Sequence, residues 1–247
     1  MAGHSHASNI KHRKGAQDAK KAKLFTKLQR EITVATKTGQ ADPEFNARLR
    51  NAIIAARTNN MPKDRIEGAI KKAASAGEGE NFEEIRYEGY GPNGVAFIVQ
   101  ALTDNRNRTA GEVRSIFAKA GGALGESGSV VFMFDHIGFI EYEAKITSEE
   151  MMFEIALEVG ASDVESNEDW HIITCDTINF SQVRDALITK FGDPKTAKLD
   201  WKPKNIVELD LEMAGKILKL VDLLEDSDDV QLVSGNYIIP DSVAENL

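Results

Sequence analysis

Hydrophobic positions recur at helical spacing through the first 75 residues and at strand spacing after residue 83. The helical spacing predicts three helices, one over 17–37, one opening at Asp42-Pro43, and one opening at Pro62. Their inward positions are Leu24, Phe25, Leu28, Ile32 and Ala35, then Phe45, Leu49, Ile53 and Ala56, then Ile66, Ala69, Ile70 and Ala73. The small-residue stretch AASAGEGEN follows and predicts a domain boundary near residue 78.

Alternation around Ile85 and Tyr87, and again over 95–101, predicts two strands joined by a turn. A helix over 109–120 and a strand over 130–134 come next. Residues 137–201 then follow the order strand, helix, strand, strand, helix, strand, which is typical of a ferredoxin-like split βαβ unit. The predicted bounds of these six elements are 139–142, 148–159, 163–166, 170–175, 181–191 and 196–201.

The last elements, predicted at 206–209, 211–224, 230–233 and 237–239, are expected to complete the sheet that begins at residue 83. The pattern therefore predicts an α+β fold of three domains. A three-helix domain spans 1–78, an α+β domain spans 79–135 plus 203–247, and a ferredoxin-like α+β domain spans 136–202 as an insertion in the second.

The charges of the chain are divided unevenly along its length. Residues 1–75 contain 16 Lys and Arg against 6 Asp and Glu, which gives +10, whereas residues 76–247 contain 14 against 33, which gives −19. The formal net charge of −9 conceals this division. A basic segment attached to an acidic remainder predicts that one end of the chain binds a polyanion. The alternative is that these charges only solvate helix surfaces.

The densest basic stretch is residues 11–30, which follows an arm predicted to be extended. On a helix its cations at 20, 23, 27 and 30 form one stripe, turned away from the apolar face and held in solvent. Such a row predicts contact with a phosphate backbone. His12 is expected to form a hydrogen bond to an exposed base or to stack on it. The alternative is that His12 is a solvated surface residue. The candidate residues are Lys11, His12, Arg13, Lys14, Lys20, Lys21, Lys23, Lys27 and Arg30.

A second candidate site is the run Arg106-Asn107-Arg108, which lies between a predicted strand and a helix expected to start near Thr109. Two guanidinium groups beside a helix N-terminus predict a site for phosphate or an acidic partner. The alternative is local pairing of these arginines with Asp104 and Glu112. The nearby GYGPNG matches G-x-G-x-x-G, but a strand follows it, so we interpret it as a turn and not as a dinucleotide site.

Other classes of protein are disfavoured. No apolar run approaches the roughly 20 residues of a membrane span, and the polar start does not predict a signal peptide. The single Cys175 cannot form an internal disulfide, which fits the cytoplasm. His136 and His171 lie apart in sequence, so no metal or other cofactor is expected. No nucleophile has a recognisable base beside it, so we do not expect an enzyme. We also expect the protein to be a monomer.

Five ordered motifs resemble those of the YebC family, which includes the mitochondrial translational activator of cytochrome oxidase. They are MAGHS…NIKHRK, NNMPKD, YEGYGPNG, LTDNRNRT and GG-x-LG…GSV, and the resemblance covers essentially the whole chain. It implies a three-domain protein, with a helical domain and two α+β domains around a cleft. It also implies gene regulation through nucleic-acid binding.

Two functional hypotheses follow from the residues and the resemblance together. The first is a translation factor that binds ribosomal RNA and helps the ribosome through difficult stretches. The second is a DNA-binding transcriptional regulator that uses the same basic domain, although helices 2 and 3 show no clear pattern of base-reading side chains. A metal-dependent enzyme is disfavoured because the chain lacks a ligand cluster.

Overall fold

The computed structural model describes residues 17–75 and 82–247, and for residues 17–20 it describes the backbone alone. The predicted arm, with Lys11, His12, Arg13 and Lys14, therefore lies outside the described residues, as does the side chain of Lys20. The helices are α1 (Gln17–Thr38), α2 (Ala47–Thr58), α3 (Lys63–Ser75), α4 (Arg106–Lys119), α5 (Glu149–Glu158), α6 (Phe180–Phe191), α7 (Leu211–Glu225) and α8 (Asp241–Ala244).

The strands alternate with these helices from residue 83 onward, and the fold is α+β as predicted. They are β1 (Glu83–Tyr90), β2 (Ala96–Thr103), β3 (Ala123–Leu124), β4 (Phe134–Glu143), β5 (Asp163–Ser166), β6 (Trp170–Asp176), β7 (Thr196–Pro203), β8 (Val207–Glu208), β9 (Val230–Gly235) and β10 (Tyr237–Ile238). Contacts divide the chain into two compact units: Met1–Lys27, Glu78–Asp135 and Trp201–Leu247 form the first, and Leu28–Gly77 with His136–Asp200 form the second. The three-domain boundaries remain a prediction.

The first unit is built on a four-stranded sheet in the order β3-β1-β2-β9, in which β1–β2 and β2–β9 are antiparallel. Apolar side chains of β2, α4 and α7 form its core, with Phe97 and Phe117 rings in edge contact at 6.1 Å between centroids. Strand β9 returns to this sheet after the whole β4–β7 sheet has been completed. The predicted insertion of one α+β segment within another is therefore present in the strand order.

The second unit contains a four-stranded sheet in the order β5-β6-β4-β7, which is the ferredoxin-like arrangement. Strand β6 is antiparallel to both β4 and β5. Helices α5 and α6 pack on one face, where Ile140, Ile173, Met152 and Leu187 are fully buried. Burial of these apolar side chains is the main stabilisation of the sheet and its helices.

The second helix begins later than predicted, and Phe45 does not face inward. Residues 42–45 form a turn closed by Phe45 N–H donating to the Asp42 carbonyl, and Phe45 is 72% exposed. Asn46 is the cap that decides the start of α2, because its side-chain oxygen accepts the Leu49 N–H at 3.0 Å. Its amide nitrogen also donates to the Ala35 carbonyl at 2.7 Å, so the cap position is locked to α1.

The predicted strand over 130–134 is also wrong, since residues Val131–Met133 form a 3-10 turn that leads into β4. The backbone N–H groups of Val130 and Val131 donate to the buried Glu88 carboxylate and are unavailable for a strand ladder. The predicted strands at 206–209 and 237–239 do not complete the first sheet. Instead β8 and β10 pair with each other in a separate two-stranded parallel sheet.

The GYGPNG segment is a turn followed by strand β2, as predicted. Pro92–Gly94 form a 3-10 turn in which Asn93 has a φ of 57°. Gly91 has no room for a side chain, since an added Cβ would come within 2.7 Å of Phe97 Cε2. The first two glycines of the motif therefore serve close packing inside the protein, and no helix N-terminus follows to receive a pyrophosphate.

Candidate nucleic-acid interface

The cationic stripe of α1 is partly engaged within the protein. Lys23 Nζ lies 2.9 Å from Asp226 Oδ1 and 3.3 Å from the Asp226 carbonyl oxygen. Lys27 Nζ donates to the Glu225 carbonyl at 2.5 Å. The expectation that the whole stripe projects freely into solvent is therefore wrong for Lys23 and Lys27. Arg30 is half-buried, and Lys21 remains exposed with its ammonium 5.6 Å from the centre of the Phe25 ring.

The contact of α1 with α7 has a clear electrostatic cause. Glu225 is the last residue of α7, where the final carbonyls lack helical partners and carry the negative end of the helix dipole. Ammonium groups are favoured at such a terminus. Burial lowers the pKa of Lys27, and the nearby charges of Glu225 and Asp228 oppose that shift. The helix terminus thus receives two cations, one of which is appreciably desolvated.

The Arg106-Asn107-Arg108 run forms the first turn of α4, which begins three residues earlier than predicted. The cap is Asn105, whose side-chain oxygen accepts the Arg108 N–H at 3.0 Å. The Arg108 guanidinium donates through Nη2 to Asp104 Oδ1 and to Asp229 Oδ2, each at 2.8 Å. The sequence left open the alternative that these arginines pair locally with acids, and Arg108 does pair with Asp104.

Asp229 is the acceptor around which the start of α4 is organised. It is 4% exposed, and its Oδ2 accepts the Thr109 hydroxyl at 2.6 Å and the Thr103 hydroxyl at 3.1 Å. The hydrogen bond from Arg108 to Asp229, and to a smaller extent the one to Asp104, raises the pKa of the guanidinium, which therefore remains charged. Asp229 belongs to the acidic run Glu225–Asp229, and its position in the sequence alone gives no sign of this role.

The acidic turn, residues 225–229, connects the two basic segments that the sequence singled out. Its first residues hold Lys23 and Lys27 of α1, and its last residue holds Arg108 of α4. Arg106 and Asn107 remain exposed, and the Arg106 carbonyl accepts the Tyr87 hydroxyl at 3.4 Å. Arg108 is thus an exposed residue whose guanidinium is held by Asp104 and the buried Asp229, whereas Lys21, Arg106 and Asn107 are exposed without such a carboxylate contact among the described residues.

Helix α3 presents a further set of cations that sequence reasoning did not select. Met61, Ile66, Ala69 and Ala73 are buried. The exposed cations between these positions are Lys63, Arg65, Lys71 and Lys72, against the two acids Asp64 and Glu67. The signal that marks them is the spacing of Lys and Arg between the buried positions of an amphipathic helix.

The connection between α2 and α3 is a four-residue turn over 59–62. Asn60 has a φ of 58°, the left-handed conformation that lets the chain reverse direction sharply. Lys63 lies 3.5 Å from Glu67 one turn along α3, whereas Lys71 and Lys72 form no ion pair with any described residue. Helices α2 and α3 are therefore joined by a short turn, and the second helix has cations on its exposed face.

A shallow cleft of about 370 Å³ lies within the second unit, beside the end of α2. Its cations are Arg57, Lys145 and Lys195, and its acids are Glu143 and Asp193. Hydrogen bonding from Lys145, with the charges of Lys145 and Lys195, lowers the pKa of Glu143. Charges of both signs line this cleft, so its electrostatics favour neither an anion nor a cation.

Within residues 17–75 and 82–247, no three His, Cys, Asp or Glu side chains are grouped in a way that would hold a metal ion. Over the same ranges, no helix combines the length and the apolar character that crossing a membrane requires.

The fold and the charged helices together define a class: α+β proteins with a basic helical N-terminal region and a ferredoxin-like insertion. Family models extend this class to a particular family. The model described as the TACO1/YebC protein N-terminal domain matches residues 5–76, and the TACO1/YebC second and third domain matches residues 82–237. The chain belongs to the TACO1/YebC family.

Two relatives are similar over nearly their whole length. A probable transcriptional regulatory protein of Wolbachia pipientis wMel is 56% identical over 246 residues, covering 98% of this chain and 100% of the relative. The crystal structure of a conserved hypothetical protein from Aquifex aeolicus superposes with a TM-score of 0.83 at 50% identity. That match covers 94% of this chain and 96% of the other.

Proposed function

We propose that this protein is a nucleic-acid-binding regulator of gene expression, and that it acts in transcription by binding duplex DNA. The observation that carries the proposal is the +10 charge of residues 1–75 within a chain of net charge −9. The name of the Wolbachia relative, probable transcriptional regulatory protein, favours transcription as the process. The protein is proposed to be a cytoplasmic monomer that regulates without catalysing a reaction.

Phosphate binding would rest on cations that have no strong partner inside the protein. Each Lys or Arg that neutralises a phosphate releases condensed counterions, which gives affinity without sequence reading. Lys71 and Lys72 on α3 are exposed and lack a described ion pair, and Lys21 and Arg106 are also exposed. Lys11, His12, Arg13 and Lys14 are proposed to add further phosphate contacts.

The second candidate is binding of ribosomal RNA by the same basic helical domain, proposed as residues 1–78. The resemblance to a family that includes a translational activator favours this candidate. On the ribosome the protein would stabilise one conformation through phosphate contacts, and the acidic remainder would be repelled from RNA and orient the basic end toward it.

The test is a competition between a duplex DNA and purified ribosomes for labelled protein at physiological salt, followed by titration of each over a range of salt. Lys71→Ala with Lys72→Ala should weaken binding to the preferred ligand and reduce the slope of log affinity against log salt by about 2. Preference for one duplex sequence would support transcription, and preference for ribosomes would support the second candidate.

The matched control is Lys190→Ala with Lys204→Ala, which removes the same two charges from the acidic remainder. These lysines form ion pairs with Glu158 at 3.4 Å and Asp135 at 3.2 Å. We expect the control to retain the wild-type salt slope. Equal slopes for both double variants and the wild type would refute a specific basic surface on α3.

A further inference from the structure

Helix α5 has one fully buried face and one exposed face that is both apolar and acidic. Met152 and Ala156 are 0% exposed and pack in the core of the ferredoxin-like sheet. On the outer face Phe153 is 46% exposed and Leu157 is 43% exposed. These two residues are four positions apart, so their side chains are neighbours on the helix surface.

The charged residues that α5 itself contributes around this apolar pair are all acids. Every ionisable residue of α5 is a glutamate, at positions 149, 150, 154 and 158, and all four are exposed. Among the described residues, Glu158 forms an ion pair with Lys190 of α6, at 3.4 Å. The glutamates around the apolar pair repel phosphate, so this face does not belong to the proposed nucleic-acid surface.

The position of the acids is not explained by the stability of the helix itself. Glu149 and Glu150 lie in the first turn, where carboxylates complement the positive end of the helix dipole, and Ser148 caps the same end. Glu154 and Glu158 lie toward the other end, where the dipole disfavours a negative charge and no basic residue is present in the last turn. Glu158 pairs with Lys190 of α6, whereas the placement of Glu154 suits an external cation better than it suits the helix.

We infer that the exposed face of α5, defined by Glu150, Phe153, Glu154 and Leu157, binds a lysine- and arginine-rich amphipathic helix of a protein partner. An amphipathic helix would place apolar side chains on Phe153 and Leu157. Its flanking cations would meet the glutamates, so the charges would select the partner while apolar burial supplies affinity. This inference does not depend on the proposed function, since it concerns a protein partner and a different element.

The experiment is titration of isotope-labelled full-length protein with a synthetic 18-residue helix-forming peptide that carries leucines on one face and lysines on the other. A twin peptide has glutamate in place of every lysine. We expect the lysine peptide to shift the amide resonances of residues 149–158 and the glutamate twin to leave them unchanged. Phe153→Ser with Leu157→Ser should weaken binding by about tenfold or more, as loss of a central apolar anchor does.

Two further variants separate the causes. Glu150→Gln with Glu154→Gln keeps the apolar pair and should weaken binding several-fold, with a reduced dependence on salt. Ile178→Ser changes an apolar residue of the same unit that is 93% exposed and should bind as the wild type does. Thermal midpoints within about 2 °C of wild type would show that the exposed substitutions leave the fold intact.

Three results would overturn the inference. These are equal binding of the two peptides, wild-type affinity in the serine variant, and resonance shifts confined to residues outside 149–158. Sedimentation velocity on the free protein provides the remaining distinction. Self-association that disappears in the serine variant would make a second copy of this chain the occupant in place of a basic partner.

Discussion

The buried carboxylate of Glu88 accepts four hydrogen bonds, three of them from the backbone of residues 128–131. Its replacement by glutamine gives the sharpest prediction from this structure. Glu88 is 2% exposed. Its Oε1 accepts the Gly128 N–H at 3.0 Å and Arg86 Nε at 3.1 Å. Its Oε2 accepts the N–H groups of Val130 and Val131, both at 2.9 Å.

Glu88→Gln keeps the shape of the side chain but replaces one acceptor oxygen with an NH₂ group. Whichever way the amide is oriented, at least one buried backbone N–H then faces a donor and loses its hydrogen bond. An unsatisfied buried donor costs about 1–3 kcal/mol, and the remaining bonds lose their charge assistance. We expect the free energy of unfolding to fall by about 3 kcal/mol, and the thermal midpoint by about 6–12 °C.

The assay is urea unfolding followed by tryptophan fluorescence, because Trp201 packs in the cluster that contains Val130 and Phe134. Glu83→Gln on the same strand is the matched control, since that residue is exposed and its replacement should cost less than about 0.5 kcal/mol. A loss of less than about 1 kcal/mol for Glu88→Gln would refute the role assigned to the carboxylate.

The same site predicts a dependence on pH. Burial disfavours ionisation of Glu88, but the backbone N–H groups of Gly128, Val130 and Val131 and the charge of Arg86 outweigh it, so the pKa lies below its usual 4.5. A carboxylate whose pKa is lower in the folded state than in the unfolded state stabilises the protein fully at pH values above its unfolded-state pKa. This stabilisation is lost as the pH falls through the folded-state pKa. The stability difference between wild type and Glu88→Gln should therefore be constant above about pH 5.5 and shrink in more acidic buffer.

Three more predictions follow from the acidic turn and the core. Asp229→Asn should lower the free energy of unfolding by about 2–4 kcal/mol in thermal melts, because a buried carboxylate bound by a guanidinium and two hydroxyls becomes neutral, and a change below 1 kcal/mol would contradict this. Lys27→Glu should destabilise by about 2 kcal/mol, since it sets a carboxylate against the C-terminus of α7, whereas Lys27→Met should change stability by less than about 1 kcal/mol. Burial raises the pKa of the Cys175 thiol from 9.0 to about 11. At pH 8 its alkylation by iodoacetamide should therefore be about 100-fold slower in the folded protein than in urea, and equal rates would show that the thiol is accessible.

Local patterns in the sequence were sufficient for most elements of the fold. The period of the apolar residues placed α1, α3 and α5–α7, and the strand–helix order of residues 137–201 was enough to predict the ferredoxin-like sheet. These segments bury one face of a regular helix or strand, so their spacing reflects the core directly. The charge difference between residues 1–75 and the remainder is likewise a property of the sequence alone.

Contacts between residues distant in sequence decided what the local pattern could not. Residues 130–134 are a continuous apolar run of the kind that forms strands, but the Glu88 carboxylate, 42 residues earlier than Val130, accepts two of their N–H groups. Lys27 has the spacing of a solvent-exposed stripe, yet its ammonium binds a carbonyl 198 residues away. The partner of a charged group depends on which helix end lies beside it in the folded protein. The spacing of apolar and charged residues along the sequence carries no information about which helix end that is.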